Sequence, residues 1–154
     1  MRALPVDLRQ KVFKREERWV KLGKELASEL GGRDKERQLR NIQSVAESSA
    51  CWEAVEVFIR YQAARKQLRL EWAKWAVDKL GALEQEARGL LDRPDDDAVR
   101  RLHLDLVART LGYAVRWYVT REAERKAGTA APSARAGQGA APAAGQNRPQ
   151  EGRR

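Results

Sequence analysis

The chain has 154 residues with 31 Lys and Arg against 22 Asp and Glu, a formal net charge of +9 and 34% charged side chains. That length suits one domain. A single His, a single Cys and a single Met leave no material for a His-based triad, a thiolate pair, an intrachain disulfide or a Cys/His metal cage, so composition points away from most enzyme chemistry.

No apolar stretch approaches the roughly 20 residues that cross a bilayer, and the opening MRALPVDLRQ lacks signal or transit character. The expectation is a soluble, cytoplasmic protein with no membrane partner. From Val6 to Arg93 there is no Pro, and Ala, Leu, Arg, Lys, Glu and Gln dominate. These are the best helix formers, so the fold is expected to be all-α, a compact bundle of four to six helices over residues 1–127.

In the first segment Leu8, Val12, Trp19, Leu22, Leu26 and Leu30 share one face at 3.6-residue spacing, with Lys11, Lys14, Arg18, Lys21 and Lys24 on another. This predicts one amphipathic helix over about 7–30, capped by Asp7 and ended by Gly31-Gly32. Asp34 is the expected cap of a second helix carrying Leu39, Ile42, Val45 and Ala46. Ser49 is the expected cap of a third, apolar around most of its circumference (Trp52, Val55, Phe58, Ile59, Ala63) and therefore predicted to lie inside the bundle.

The helical pattern runs on through Leu68, Trp72, Trp75, Ala76, Leu80, Leu83, Ala87 and Leu90. Periodicity leaves open whether a break falls near Arg65 to Leu70. Pro94 stops that run, an Asp of the Asp95-Asp96-Asp97 group can cap the next helix, and this last, interior helix is predicted over about 98–127. Residues 128–154 hold 8 Ala, 5 Gly and 3 Pro with no Val, Ile, Leu or aromatic residue, which predicts a disordered basic tail of net +3.

The carboxylates Asp92, Asp95, Asp96 and Asp97 gather at an interhelix turn, where they read as helix caps rather than a Mg²⁺ site. Gly81, Gly89 and Gly112 are isolated within helical pattern, so there is no phosphate-binding glycine loop. His103 and Cys51 index onto apolar faces and read as packed residues. No catalytic residue, metal site or cofactor is expected.

Charge is the informative feature. Without the tail the body keeps +6, divided as +5 over residues 1–40, +1 over 41–75, −4 over 76–99 and +4 over 100–127. The first and last helices, packed side by side, would make a positive groove suited to phosphates, which Arg grips through its planar fork. The plainer reading is a solvated face laced by ion pairs such as Arg101-Asp105-Arg109. Trp72 and Trp75, between Arg69 and Lys74, suit either base stacking or a core.

Three stretches, KERQLRNIQSVAES (35–48), VEVFIRYQAAR (55–65) and LVARTLGYAVRWYV (106–119), resemble the small subunit of type III CRISPR effector complexes. The resemblance covers roughly residues 35–120 and is carried by helical motifs; the long tail departs from it. It implies a small, all-helical, non-catalytic subunit of an RNA-guided antiviral ribonucleoprotein, touching guide and target RNA, other effector subunits and further copies of itself. The matching basic positions, and so the implied nucleic-acid contacts, are Arg40, Arg60, Arg65, Arg109 and Arg116. The alternative is a helical protein–protein adaptor with no nucleic-acid role.

Overall fold

A computed structural model describes residues 4–130. Among them are seven α-helical segments and no strand: α1 (Val6–Phe13), α2 (Glu16–Leu30), α3 (Glu36–Ser48), α4 (Trp52–Ala64), α5 (Leu70–Gly81), α6 (Leu83–Leu90) and α7 (Asp96–Ala130). The all-α reading holds. The divisions α1/α2 and α5/α6 are breaks of only one or two residues, so the bundle has the predicted size. One unit extends through Glu122 and a second begins at Ala123. Of the second unit, residues 123–130 are helical, with the Thr129 hydroxyl donating to the Arg125 carbonyl at 3.1 Å. The remainder of the predicted tail, 131–154, lies outside the described residues.

α7 is the hub of the first unit. Leu102, His103, Leu104, Leu106, Val107, Ala108, Thr110, Leu111, Ala114, Val115 and Tyr118 are all buried, a set too wide for one helix face, so neighbours surround this helix as its apolar circumference predicts. α2 crosses it closely at Gly23. A Cβ there would stand 2.7 Å from Tyr113 Cβ and 2.9 Å from both the Ala114 nitrogen and the Thr110 carbonyl oxygen. Only glycine permits that approach.

Several local expectations are corrected. The first segment is two helices, because the chain tightens at Lys14-Arg15, where the Arg15 amide donates to the Val12 carbonyl at 3.0 Å and the Arg18 amide to the Arg15 carbonyl at 3.0 Å. The bend lets α1 pack on α6 while α2 packs on α5, and Lys11–Asp92 at 2.7 Å and Arg18–Glu86 tie the two sides. Periodicity misses it because the apolar positions keep their spacing through the break.

Asp7 sits in the first turn of α1 without capping it, Lys35 rather than Asp34 occupies the N-cap position of α3, and Ser49 is the C-cap of α3 while Cys51 occupies the N-cap position of α4. Asp95 does cap α7, accepting the Ala98 amide at 2.9 Å. The break between α4 and α5 falls where periodicity left the question open.

α4 is not interior. It buries Val55, Ile59 and Ala63 against its neighbours α3 and α5, yet Val57 is 65% exposed and Tyr61 55% exposed on the opposite face. Among the described residues no helix is long and apolar enough to cross a membrane.

Candidate nucleic-acid interface

Two connections, between α2 and α3 and between α4 and α5, are tied together at the ends of these helices. The first turns on Gly31 and Gly32 at φ +61° and +73°, followed by Asp34 at φ 58°. The second closes α4 with a Schellman-type pair, the Gln67 amide donating to the Gln62 carbonyl and the Lys66 amide to the Ala63 carbonyl, each at 2.9 Å. That motif needs a left-handed residue, usually glycine, and here Lys66 fills the place at φ 62°.

Side chains bind the two connections to one another. Lys35 Nζ donates to the Gln67 carbonyl at 2.8 Å and Gln38 Nε2 to Gln67 Oε1 at 3.2 Å. Arg69 Nε donates to the Leu30 carbonyl at 3.3 Å and its Nη2 to the Glu29 carbonyl, which satisfies the open end of α2. The Lys35 amide donates to the Tyr118 hydroxyl at 2.9 Å, anchoring the junction to α7. A cleft of about 370 Å³ lies here, lined by Gly31, Gly32, Lys35, Lys66, Arg69 and Leu70 among others.

Charge at this junction is predominantly positive. Residues 60–70 contain Arg60, Arg65, Lys66 and Arg69 and no carboxylate, and the facing connection and start of α3 add Arg33, Lys35 and Arg37 against Asp34 and Glu36, of which Glu36 is paired with Arg40. Lys35 and Arg69 are engaged with carbonyls. Arg33, Arg37, Arg65 and Lys66 are exposed and have no carboxylate partner among the described residues. The Arg65 guanidinium lies 5.6 Å from the centre of the exposed Tyr61 ring. An exposed arginine on an exposed aromatic ring offers both a phosphate fork and a stacking face.

The five arginines implied by the resemblance fall into distinct settings. Arg40 on α3 and Arg60 on α4 are exposed and held by i,i+4 partners, Glu36 at 2.8 Å and Glu56 at 2.9 Å. Such solvent-exposed pairs contribute little and are readily exchanged for phosphate. Arg65 belongs to the junction. Arg116 is exposed over the Tyr113 ring at 5.2 Å.

Arg109 is turned inward. Its Nη1 lies 3.2 Å from Glu16 Oε1 and its Nη2 3.9 Å from Asp105 Oδ2, while the Tyr113 hydroxyl donates to the same Glu16 oxygen. Burial pushes the Asp105 carboxyl above its ordinary range, the Arg109 charge pulling the other way; the bond to Glu16 raises the Tyr113 phenol. α2 and α7 meet side by side, the condition on which a positive groove between them depended. The cleft that holds Arg109 and Arg116, about 410 Å³, is nevertheless also lined by Glu16, Glu47 and Asp105, so it is not a positive groove and fits the plainer reading of a face laced by ion pairs.

The remaining candidates resolve into packing. Trp19 and Trp72 are buried, with Trp72 Nε1 donating to the Leu26 carbonyl at 3.1 Å, so Trp72 is core and not a stacking surface. Trp75 is half-buried. His103 is 2% exposed, its Nε2 2.9 Å from the Leu80 carbonyl and its ring against Trp52, and burial lowers its pKa. Cys51 is half-buried. Among the described residues no three His, Cys, Asp or Glu side chains gather as a metal site.

Sequence reasoning passed over Arg33, Arg37 and Lys66. The acid-free run of residues 60–70 was a usable signal; its meeting with residues 31–37 was not, since nothing local links them. No protein-family model, no curated protein and no solved structure matches this chain.

Proposed function

We propose that this chain is a non-catalytic helical subunit that grips the RNA backbone without reading sequence, as the small subunit of a type III CRISPR effector ribonucleoprotein in antiviral defence. The observation that carries the nucleic-acid part is the junction, with four exposed cations that have no carboxylate partner among the described residues, beside an exposed tyrosine. Backbone contact rests on charge and on Arg forks, which carry no base information. Arg40, Arg60 and Arg116 extend the cationic surface on α3, α4 and α7, and Arg109 supports it structurally through Glu16. The three stretches that resemble the small subunit support the finer assignment, with guide and target RNA and neighbouring effector subunits as partners in the cytoplasm.

The test is fluorescence anisotropy of the full chain with several unrelated single-stranded RNAs at low salt. Comparable affinities for all of them are expected; no binding overturns the reading, and strong preference for one sequence overturns its non-specific character. A helical adaptor without a nucleic-acid role is the second reading. It draws on the exposed apolar face of α4 and on the number of arginines already held by carboxylates.

A further inference from the structure

Val57, Tyr61 and Arg65 follow one another at four-residue steps along the outer face of α4, so they are neighbours on one row of the helix. All three are exposed. The fold makes no use of the Tyr61 ring: it lies outside the core, and its hydroxyl has no hydrogen-bond partner among the described residues. What meets the ring is Arg65, with the guanidinium 5.6 Å from the ring centre. Tyr113 also has an arginine against it, Arg116 at 5.2 Å, but that ring is half-buried and its hydroxyl is engaged by Glu16. Trp19 and Trp72 are enclosed in the core. Tyr61 is thus the arginine-flanked tyrosine whose ring is open to a ligand.

We propose that Tyr61 is a stacking platform for an unpaired nucleobase, with Arg65 holding the phosphate of the stacked nucleotide, so that this surface selects single-stranded RNA over duplex. Cations alone suit any phosphate backbone, paired or unpaired. An exposed ring set among them, with Val57 one turn away, suits bases that are free to leave their own stack. In an A-form duplex every base lies between its neighbours and the protein meets sugars and phosphates, so Tyr61 and Val57 would find no apolar partner there. An unpaired base covers them, and since every base has a π-face the contact needs no particular sequence. Charge by itself predicts the opposite order: paired strands carry phosphates at higher density, so a surface acting through charge alone binds duplex at least as tightly. The sign of the preference therefore separates stacking from plain electrostatics.

The choice of strand rests on the RNA-binding reading of the junction, and the test keeps the two apart. Anisotropy of the full chain is measured with one labelled, unstructured RNA strand, alone and annealed to its complement, at several salt concentrations. The single strand should bind more tightly than the duplex, by about tenfold or more. Tyr61→Ala should lose about tenfold in affinity for the single strand and none for the duplex, with far-UV circular dichroism unchanged because the ring is outside the core. Its slope of log K against log salt should equal that of wild type, since a stacked base releases no counterion. Tyr61→Trp should keep the single-strand preference, whereas Tyr61→Leu, apolar but not aromatic, should behave as Tyr61→Ala does. A duplex bound as tightly as the single strand or more so overturns the proposal and leaves backbone binding standing. So does a Tyr61→Ala variant that binds single strands as wild type does, or one that weakens both forms alike. Failure to bind either form overturns the RNA reading itself, and the proposal with it.

Discussion

Arg109 of α7 and Glu16 of α2 meet at 3.2 Å where the two helices run side by side, and the Tyr113 hydroxyl donates to the same carboxylate. Both charges are mostly shielded, with side-chain exposures of 28% and 21%, so each depends on the other for compensation. Arg109→Ala leaves Glu16 and Asp105 without their cation and is expected to lower stability by about 1–3 kcal/mol. Arg109→Ala/Glu16→Gln should recover part of that loss. A double-mutant cycle by urea denaturation checks this, and strict additivity of the two single changes contradicts it.

Close contact between the same two helices makes Gly23 irreplaceable. The obstacles to a Cβ are the Thr110 carbonyl, the Ala114 nitrogen and the Tyr113 Cβ, which are backbone or next to it and cannot swing aside. Gly23→Ala is therefore expected to destabilise by about 1–3 kcal/mol, despite the better helix propensity of alanine. Gly89→Ala on α6, where nothing lies within 4 Å, should be neutral or stabilising under the same denaturation assay.

His103 makes stability depend on pH. It is the sole histidine, buried and hydrogen-bonded to the Leu80 carbonyl, and burial lowers its pKa below the ordinary value of about 6.5. The unfolded chain therefore takes up a proton at higher pH than the folded chain does. Stability from this residue is present above about pH 6.5 and is lost as pH falls toward the depressed folded value, with a slope of at most about 1.4 kcal/mol per pH unit. His103→Gln should flatten the stability profile between about pH 5 and 7. An unchanged slope in the variant rules out the assignment.

Lys66 holds a left-handed conformation that glycine adopts freely, at a cost of about 1 kcal/mol. Lys66→Gly should raise the unfolding free energy by about that amount and weaken RNA binding together. Opposite movement of stability and binding is what a strained residue kept for its charge produces. If binding is unaffected, Lys66 is not a backbone contact.

Much of the architecture was legible in the sequence because helices declare themselves locally. The 3.6-residue rows, the Pro94 stop and a capping Asp within the 95–97 group placed α7, and its wide apolar circumference announced a central helix. The same criterion failed for α4, because an apolar outer face reads identically whether it is covered by the chain itself or left open, as at Val57 and Tyr61. The break at Lys14-Arg15 escaped because it preserves the apolar spacing.

The candidate site was less legible, since charge counts do not say which cations have partners. Arg109 looked like a phosphate contact until Glu16, 93 positions away, was found against it. Arg33, Arg37 and Lys66 become a group only when Lys35 reaches the Gln67 carbonyl across the junction.

The most direct test of the central claim is the salt dependence of binding to single-stranded RNA, comparing wild type with Arg33→Ala/Arg37→Ala/Arg65→Ala/Lys66→Ala and with Arg109→Ala. Each lost phosphate contact should reduce the slope of log K against log salt by about 0.7, so the fourfold variant should lose up to about 3 in slope. Arg109→Ala should keep the wild-type slope below its unfolding temperature. Equal slopes for wild type and the fourfold variant, or a loss confined to Arg109→Ala, would contradict the account.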